Sequence, residues 1–186
     1  FIPAVMKGES PDDARIRVRS VFVHINKAAQ PPTKGEEVLL DEDDGFSILT
    51  RDVALSHPLF RNKRLGDRVN WKSSALPSGS VWLTTGKTLR DLAEVYLGAS
   101  PPYAGWKTRS REIAVRPNES QLENGRVGLN EFLDHLAELP SFGSILRGDP
   151  VDDWREFHDK GRGHLLMRPI GQLILAEAVG YLHVDA

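Results

Sequence analysis

Cysteine is absent from this 186-residue chain, which removes disulfides, zinc knuckles, iron–sulfur clusters and thiol catalysis together. No apolar run approaches the roughly 18–20 residues that a membrane helix needs. Neither sign of charge dominates: 24 Lys+Arg face 26 Asp+Glu, a formal −2. No global field therefore draws the chain to nucleic acid or anionic lipid, and any such binding has to come from local patches. These absences point to a soluble, cytoplasmic protein with no membrane partner. The 40% hydrophobic share is enough for a packed core and excludes wholesale disorder. The length fits one domain, or a core with a small appendage.

The chain opens at Phe1 with FIPAVM, which reads as a buried strand with no lead-in. The expectation is that these residues are the C-terminal portion of a longer polypeptide. Ser10-Pro11-Asp12-Asp13 has the makings of a helix start: a capping hydroxyl, Pro at the first helical position and acids at the positive end of the dipole. Ile16, Val18, Val21, Phe22 and Ile25 then form its apolar stripe up to Asn26. Gln30-Pro31-Pro32 reads as a stiff linker. Thr33 caps a second helix over about 34–41, and Asp43 or Asp44 opens a third that runs to His57-Pro58. From Leu59 to Ser80 the pattern loosens; Ser80–Thr84 is a short extended stretch. Thr85–Gly98 is an amphipathic helix with Gly98 as its stop. Residues 99–128 read as a long surface excursion, Asn130–Leu139 as a short helix, and Pro140–Pro150 as a break. A helical turn is expected at Asp152–His158. The apolar segment Leu165–His183 is expected as the central core helix. The class is mainly α with minor, N-terminally placed β.

Several chemistries are visible and each has a plainer explanation. Gly86-Lys87-Thr88 stands where a phosphate loop would end, but the position of the loop's first glycine, with four residues between it and Gly86, is Val81, so the threonines read as helix caps. His158, Asp159 and His164, near Asp152 and Asp153, lack a ligand spacing and sit among Lys160, Arg162 and Arg168; no metal is expected there. Glu36, Glu37, Asp41, Glu42, Asp43 and Asp44 read as exposed capping charge, because buried together they would raise one another's pKa values. No nucleophile motif such as GxSxG occurs, so no catalytic residue and no cofactor is assigned.

The basic stretches carry more weight. Arg61, Lys63, Arg64, Arg68 and Lys72 against Asp67 give +4 over residues 61–72. Lys107, Arg109, Arg111 and Arg116 against Glu112 give +3 over residues 107–116. Trp71 and Trp106 stand beside them, and aromatics interleaved with cations suit phosphate contact and base stacking. The plainer reading makes these ordinary basic loops whose tryptophans anchor them to the core.

The string VFVHINKAAQPPTKG resembles the helix-plus-turn of the DGQHR-domain family, whose DndB-like members accompany DNA sulfur modification. The matching residues are Phe22, Ile25, Asn26, Ala29, Pro31, Thr33 and Lys34. Leu39-Leu40-Asp41-Glu42, Ile48-Leu49-Thr50-Arg51, His57-Pro58-Leu59-Phe60, Val81-Trp82-Leu83-Thr84 and Arg168-Pro169-Ile170-Gly171-Gln172 follow in the family's order. The DGQHR signature itself is absent, so no role tied to it is carried onto any residue here. The resemblance implies residues 1–98 as the end of a core similar to ParB-like domains, with a basic loop at 59–80, and residues 99–186 as a helical C-terminal region. It implies a DNA-binding regulatory or accessory module of a modification or phage-defence system, with DNA and modification proteins as partners. Arg61, Lys63, Arg64, Arg68, Lys72, Lys107, Arg109 and Arg111 are its candidate DNA contacts. Asn26 is either a helix cap or a pocket residue. The alternatives are a fragment of a ParB-like nucleotide hydrolase or nuclease with its catalytic loop upstream, or a structural lobe that forms homo-oligomers.

Overall fold

The computed structural model describes residues 8–28, 31–62, 66–77, 79–103, 105–106, 116–155 and 163–182. Among them are eight α-helices and four two-residue strands, so the chain is mainly α with minor β. The expected strand FIPAVM lies outside the described residues. The strands that are described sit mid-chain. Contacts divide the chain into two units, residues 1–32 and residues 33–186.

The first unit is built on α1 (Pro11–Ala28). The Ser10 hydroxyl accepts the Asp13 N–H at 3.2 Å, and Arg17 grips Glu9 with two bonds of 2.7 and 2.8 Å. Its apolar positions Ile16 and Phe22 are exposed.

In the second unit, α2 (Lys34–Leu40) starts at a capping box in which the Thr33 hydroxyl and the Glu36 carboxylate each accept the other's backbone N–H. Asp44 caps α3 (Gly45–Ser56) by accepting from Ser47 N. Four short strands follow. β1 (Arg61–Asn62) pairs antiparallel with β2 (Gly66–Asp67), and β3 (Val69–Asn70) pairs parallel with β4 (Thr84–Thr85). The loose pattern at 59–80 hides this strip because each strand is too short to show alternation.

Thr85 caps α4 (Gly86–Ala99) through the Thr88 N–H at 3.0 Å. The helix runs through Gly98 and stops at Ser100, so Gly98 is not its terminator. Two further expectations fail. The excursion expected at 99–128 gives way at Glu119 to α5 (Glu119–Glu138), a 20-residue helix capped by Asn118 and Gln121. The break expected at Pro140–Pro150 is α6 (Pro140–Arg147), where Pro140 takes the first helical turn and Gly148 ends the helix at φ +113°. A five-residue α7 (Val151–Arg155) follows.

The core forms where α3, α4 and α5 meet, with α6 and α8 (Pro169–Leu182) against its sides. Leu49, Val53, Leu89, Ala93, Leu97, Leu129 and Leu133 are fully enclosed, and the Tyr96 and Phe132 rings stack 4.7 Å apart. α8 is not the central helix that its apolar sequence predicts. It lays Gln172, Ala176 and Gly180 onto the protein, chiefly onto α4, and leaves Ile170, Ile174, Tyr181 and Leu182 exposed.

Candidate functional site

A cleft of about 880 Å³ opens where the α2–α3 turn, the first half of α4 and the start of α5 meet. Its floor is aromatic. The Trp106 backbone N–H donates to Tyr103 O (2.8 Å), and its ring lies 5.2 Å from that of Phe46. Arg90, one turn into α4, spreads its guanidinium 5.5 Å above the Phe46 ring. Arg90 Nε donates to Asp44 Oδ2 at 2.9 Å, and Nη1 donates to Glu94. Burial raises the Asp44 carboxyl, but the bonds from Arg90 and Ser47 and the charge of Arg90 outweigh it and hold Asp44 below the usual carboxylate range. Burial likewise lowers the Arg90 guanidinium, and Asp44 and Glu94 more than restore it. Lys87 pairs with Asp91 along α4. At the mouth, Arg116 reaches Glu42, which also takes Arg51 at 3.0 Å.

Sequence reasoning saw the acids at 36–44 as capping charge, and several of them do cap: Glu36 closes the α2 box, Asp44 caps α3, and Asp41 accepts the Asp43 and Asp44 N–H groups at 2.9 Å. It missed that this capped turn is one wall of a cleft. The i,i+4 spacings Lys87–Asp91 and Arg90–Glu94 mark one face of α4, which was the available signal. The partnership of Arg90 with Asp44, 46 residues away, left no local trace.

The residues expected to contact DNA fall into three groups. Arg61 and Lys72 are exposed. Arg61 donates to Leu55 O at 2.8 Å, and neither side chain forms an ion pair among the described residues; the Glu36 carboxyl is held below its usual range chiefly by its hydrogen bonds with Thr33, with the Lys72 charge as a lesser contribution. Arg68 is buried; Nη1 donates to Leu59 O (3.2 Å) and Nη2 to Ile145 O (2.7 Å). It ties the strip to α6 and presents no charge to solvent. Lys63, Arg64, Lys107, Arg109 and Arg111 lie outside the described residues, as does the Asn26 side chain, although Asn26 itself falls within α1.

The two tryptophans serve as anchors. Trp106 is buried, and Trp71 lies against the start of α4, where a Cβ on Gly86 would strike the indole. That packing, and the Thr85–Thr88 hydroxyl bond of 2.8 Å, close the Gly86-Lys87-Thr88 turn to a phosphate. His158 and Asp159 lie outside the described residues. His164 caps the 3₁₀ turn 165–167 by accepting from Leu166 N. Among the described residues no group of three or more His, Asp or Glu is placed to hold a metal, and no helix is long and apolar enough to cross a membrane.

Compared with known proteins, the chain matches no family model, no curated protein and no solved structure.

Proposed function

We propose that the chain is a binding module that contacts DNA through Arg61 and Lys72, exposed at the two ends of segment 61–72, as an accessory part of a DNA-modification system. The supporting observation is the division of labour along that segment. Arg68 turns inward and fixes the β1–β3 strip by its main-chain bonds, while Arg61 and Lys72 stay on the surface with no ion pair to a carboxylate among the described residues. Arg17, Arg51, Arg90, Arg116 and Arg126 are instead each joined to acids. Exposed cations with no carboxylate bound to them suit phosphate neutralisation. The resemblance of residues 22–34 to the DGQHR-domain family gives the same direction.

The test is fluorescence anisotropy of a labelled duplex with the full chain and with the double variant R61E/K72E, both positions being exposed. The variant should bind all sequences more weakly and by similar factors, because phosphate contacts carry no sequence information. Equal affinity for the two proteins would remove the proposal.

A second reading, a lobe that assembles with another copy, is favoured by the outward face of α8, where Ile170, Ile174 and Tyr181 are each more than half exposed. No DNA binding together with a dimeric mass in sedimentation would select it.

A further inference from the structure

His57 stands where the core hands over to the strip that carries Arg61. It caps α3, its N–H donating to Val53 O at 2.8 Å, and it opens the turn His57-Pro58-Leu59-Phe60 that leads into β1. Pro58 has no N–H to give, and the two N–H groups that follow it both bond to residue 57. Phe60 N–H donates to His57 O at 3.1 Å, and Leu59 N–H donates to the ring at Nδ1, 3.3 Å away. The second bond needs a neutral imidazole, because an imidazolium carries a donor on each nitrogen and has no acceptor.

The ring is held from its other side by α5. Nε2 meets Asp134 Oδ1 at 3.1 Å, and the Phe60 ring lies 6.0 Å from the imidazole. Asp134 is the charged group that faces the ring from α5. On the strip side Arg68 lies beyond the turn, with Nη1 on Pro58 O (3.5 Å) and Leu59 O (3.2 Å). Protonation gives His57 and Asp134 opposite charges and tightens that pair, so the ring stays with α5. It also sets a new N–H at Nδ1 against the Leu59 N–H, and the turn has to give way. Leu59 O accepts from Arg68 Nη1, and Phe60 O accepts from the Arg68 main-chain N–H at 2.8 Å. The disturbance therefore passes into the strip next to Arg61.

We propose that His57 is a pH-sensitive latch on the strip: the neutral imidazole pins the turn into β1, and protonation releases it and loosens the Arg61 end. Burial of the ring outweighs the exposed Asp134 and keeps the His57 pKa below the ordinary value of about 6.5. The latch is closed at neutral pH and opens as pH falls through the folded-state value. Its effect on DNA rests on the proposed contact through Arg61 and Lys72.

The experiment is an NMR titration of the ¹⁵N-labelled full chain from pH 8 to pH 5 without DNA. The Leu59, Phe60 and Arg61 amide signals should move with one midpoint, that of the His57 ring protons, while the Leu129 and Leu133 amides in the core keep their places. In H57Q the three signals should lose this titration. In D134N, at an exposed position, the midpoint should fall, because the charge that favours the imidazolium is gone. Duplex anisotropy then reads the consequence: between pH 7.5 and pH 5.5 wild type should lose up to about five-fold in affinity relative to H57Q, the scale of one neutral hydrogen bond. Amides at 59–61 that stay fixed while the ring titrates, or that titrate with a midpoint indifferent to D134N, would overturn the latch. Amides that move while the affinity stays level would support the latch and remove Arg61 from the DNA contact.

Discussion

Arg155 is a buried cation whose guanidinium has, among the described residues, no carboxylate hydrogen-bonded to it. It donates from Nε to Met167 O (2.9 Å), from Nη2 to Trp82 O (2.6 Å), and from Nη1 to Ser80 O. Burial lowers its pKa, with Asp152 opposing. One side chain thus serves carbonyls from two segments more than 70 residues apart, and removing it leaves those acceptors buried and unpaired. Arg155→Met should cost about 2–4 kcal/mol, seen as a lower urea midpoint at unchanged slope; a midpoint within error of wild type would show that water replaces the side chain. His57 makes a pH-dependent contribution. Leu59 N–H donates to Nδ1 (3.3 Å), which assigns the ring proton to Nε2, facing Asp134 at 3.1 Å. Burial lowers the His57 pKa, and the exposed Asp134 only partly offsets this. The unfolded chain therefore takes up the proton first. Stability from this site is present above the ordinary histidine value of about 6.5 and is lost as pH falls through it. Urea midpoints at pH 8, 6.5 and 5 should decline for wild type and decline less for His57→Gln.

At the scale of elements, steric fit overrides intrinsic preference. Gly125 lies within α5, where alanine would normally help by about 1 kcal/mol. A Cβ there would come within 2.6 Å of Trp106 and 2.7 Å of Leu49. Gly125→Ala should therefore destabilise by about 1–3 kcal/mol in thermal unfolding; a stabilised variant would mean that Trp106 is free to shift. The same element shows where sequence reading stopped. α1 through α4 were legible because each start carries a cap (Ser10, Thr33, Asp44, Thr85) ahead of a periodic apolar run. The first half of α5 was not, since Gly125 and Gly128 occupy buried positions that a larger side chain normally marks. The Asn118–Gln121 capping box was the overlooked sign. Pro140 was read as a breaker where it is an N-terminal helix residue. In α8 the apolar composition was legible but its burial was not, because which face a helix covers depends on partners distant in sequence.

For the whole molecule, near-neutral net charge conceals two surfaces of unlike character. The acids at 36–44, read in sequence as solvated caps, help to wall a cleft whose lining cations are each paired with an acid. The strip at 61–72 carries Arg61 and Lys72 outward, and Arg68, which among the described candidates there turns inward, was indistinguishable in sequence from its neighbours. What separates it is a bond to Ile145 O, a residue 77 positions away. DNA contact through this strip is most directly tested by the salt dependence of duplex affinity, with and without the two exposed cations. The logarithm of affinity should fall linearly with the logarithm of salt, and R61E/K72E should flatten that slope by about 1.8, the release of two counterions. Parallel lines for the two proteins, or an affinity indifferent to salt, would contradict it.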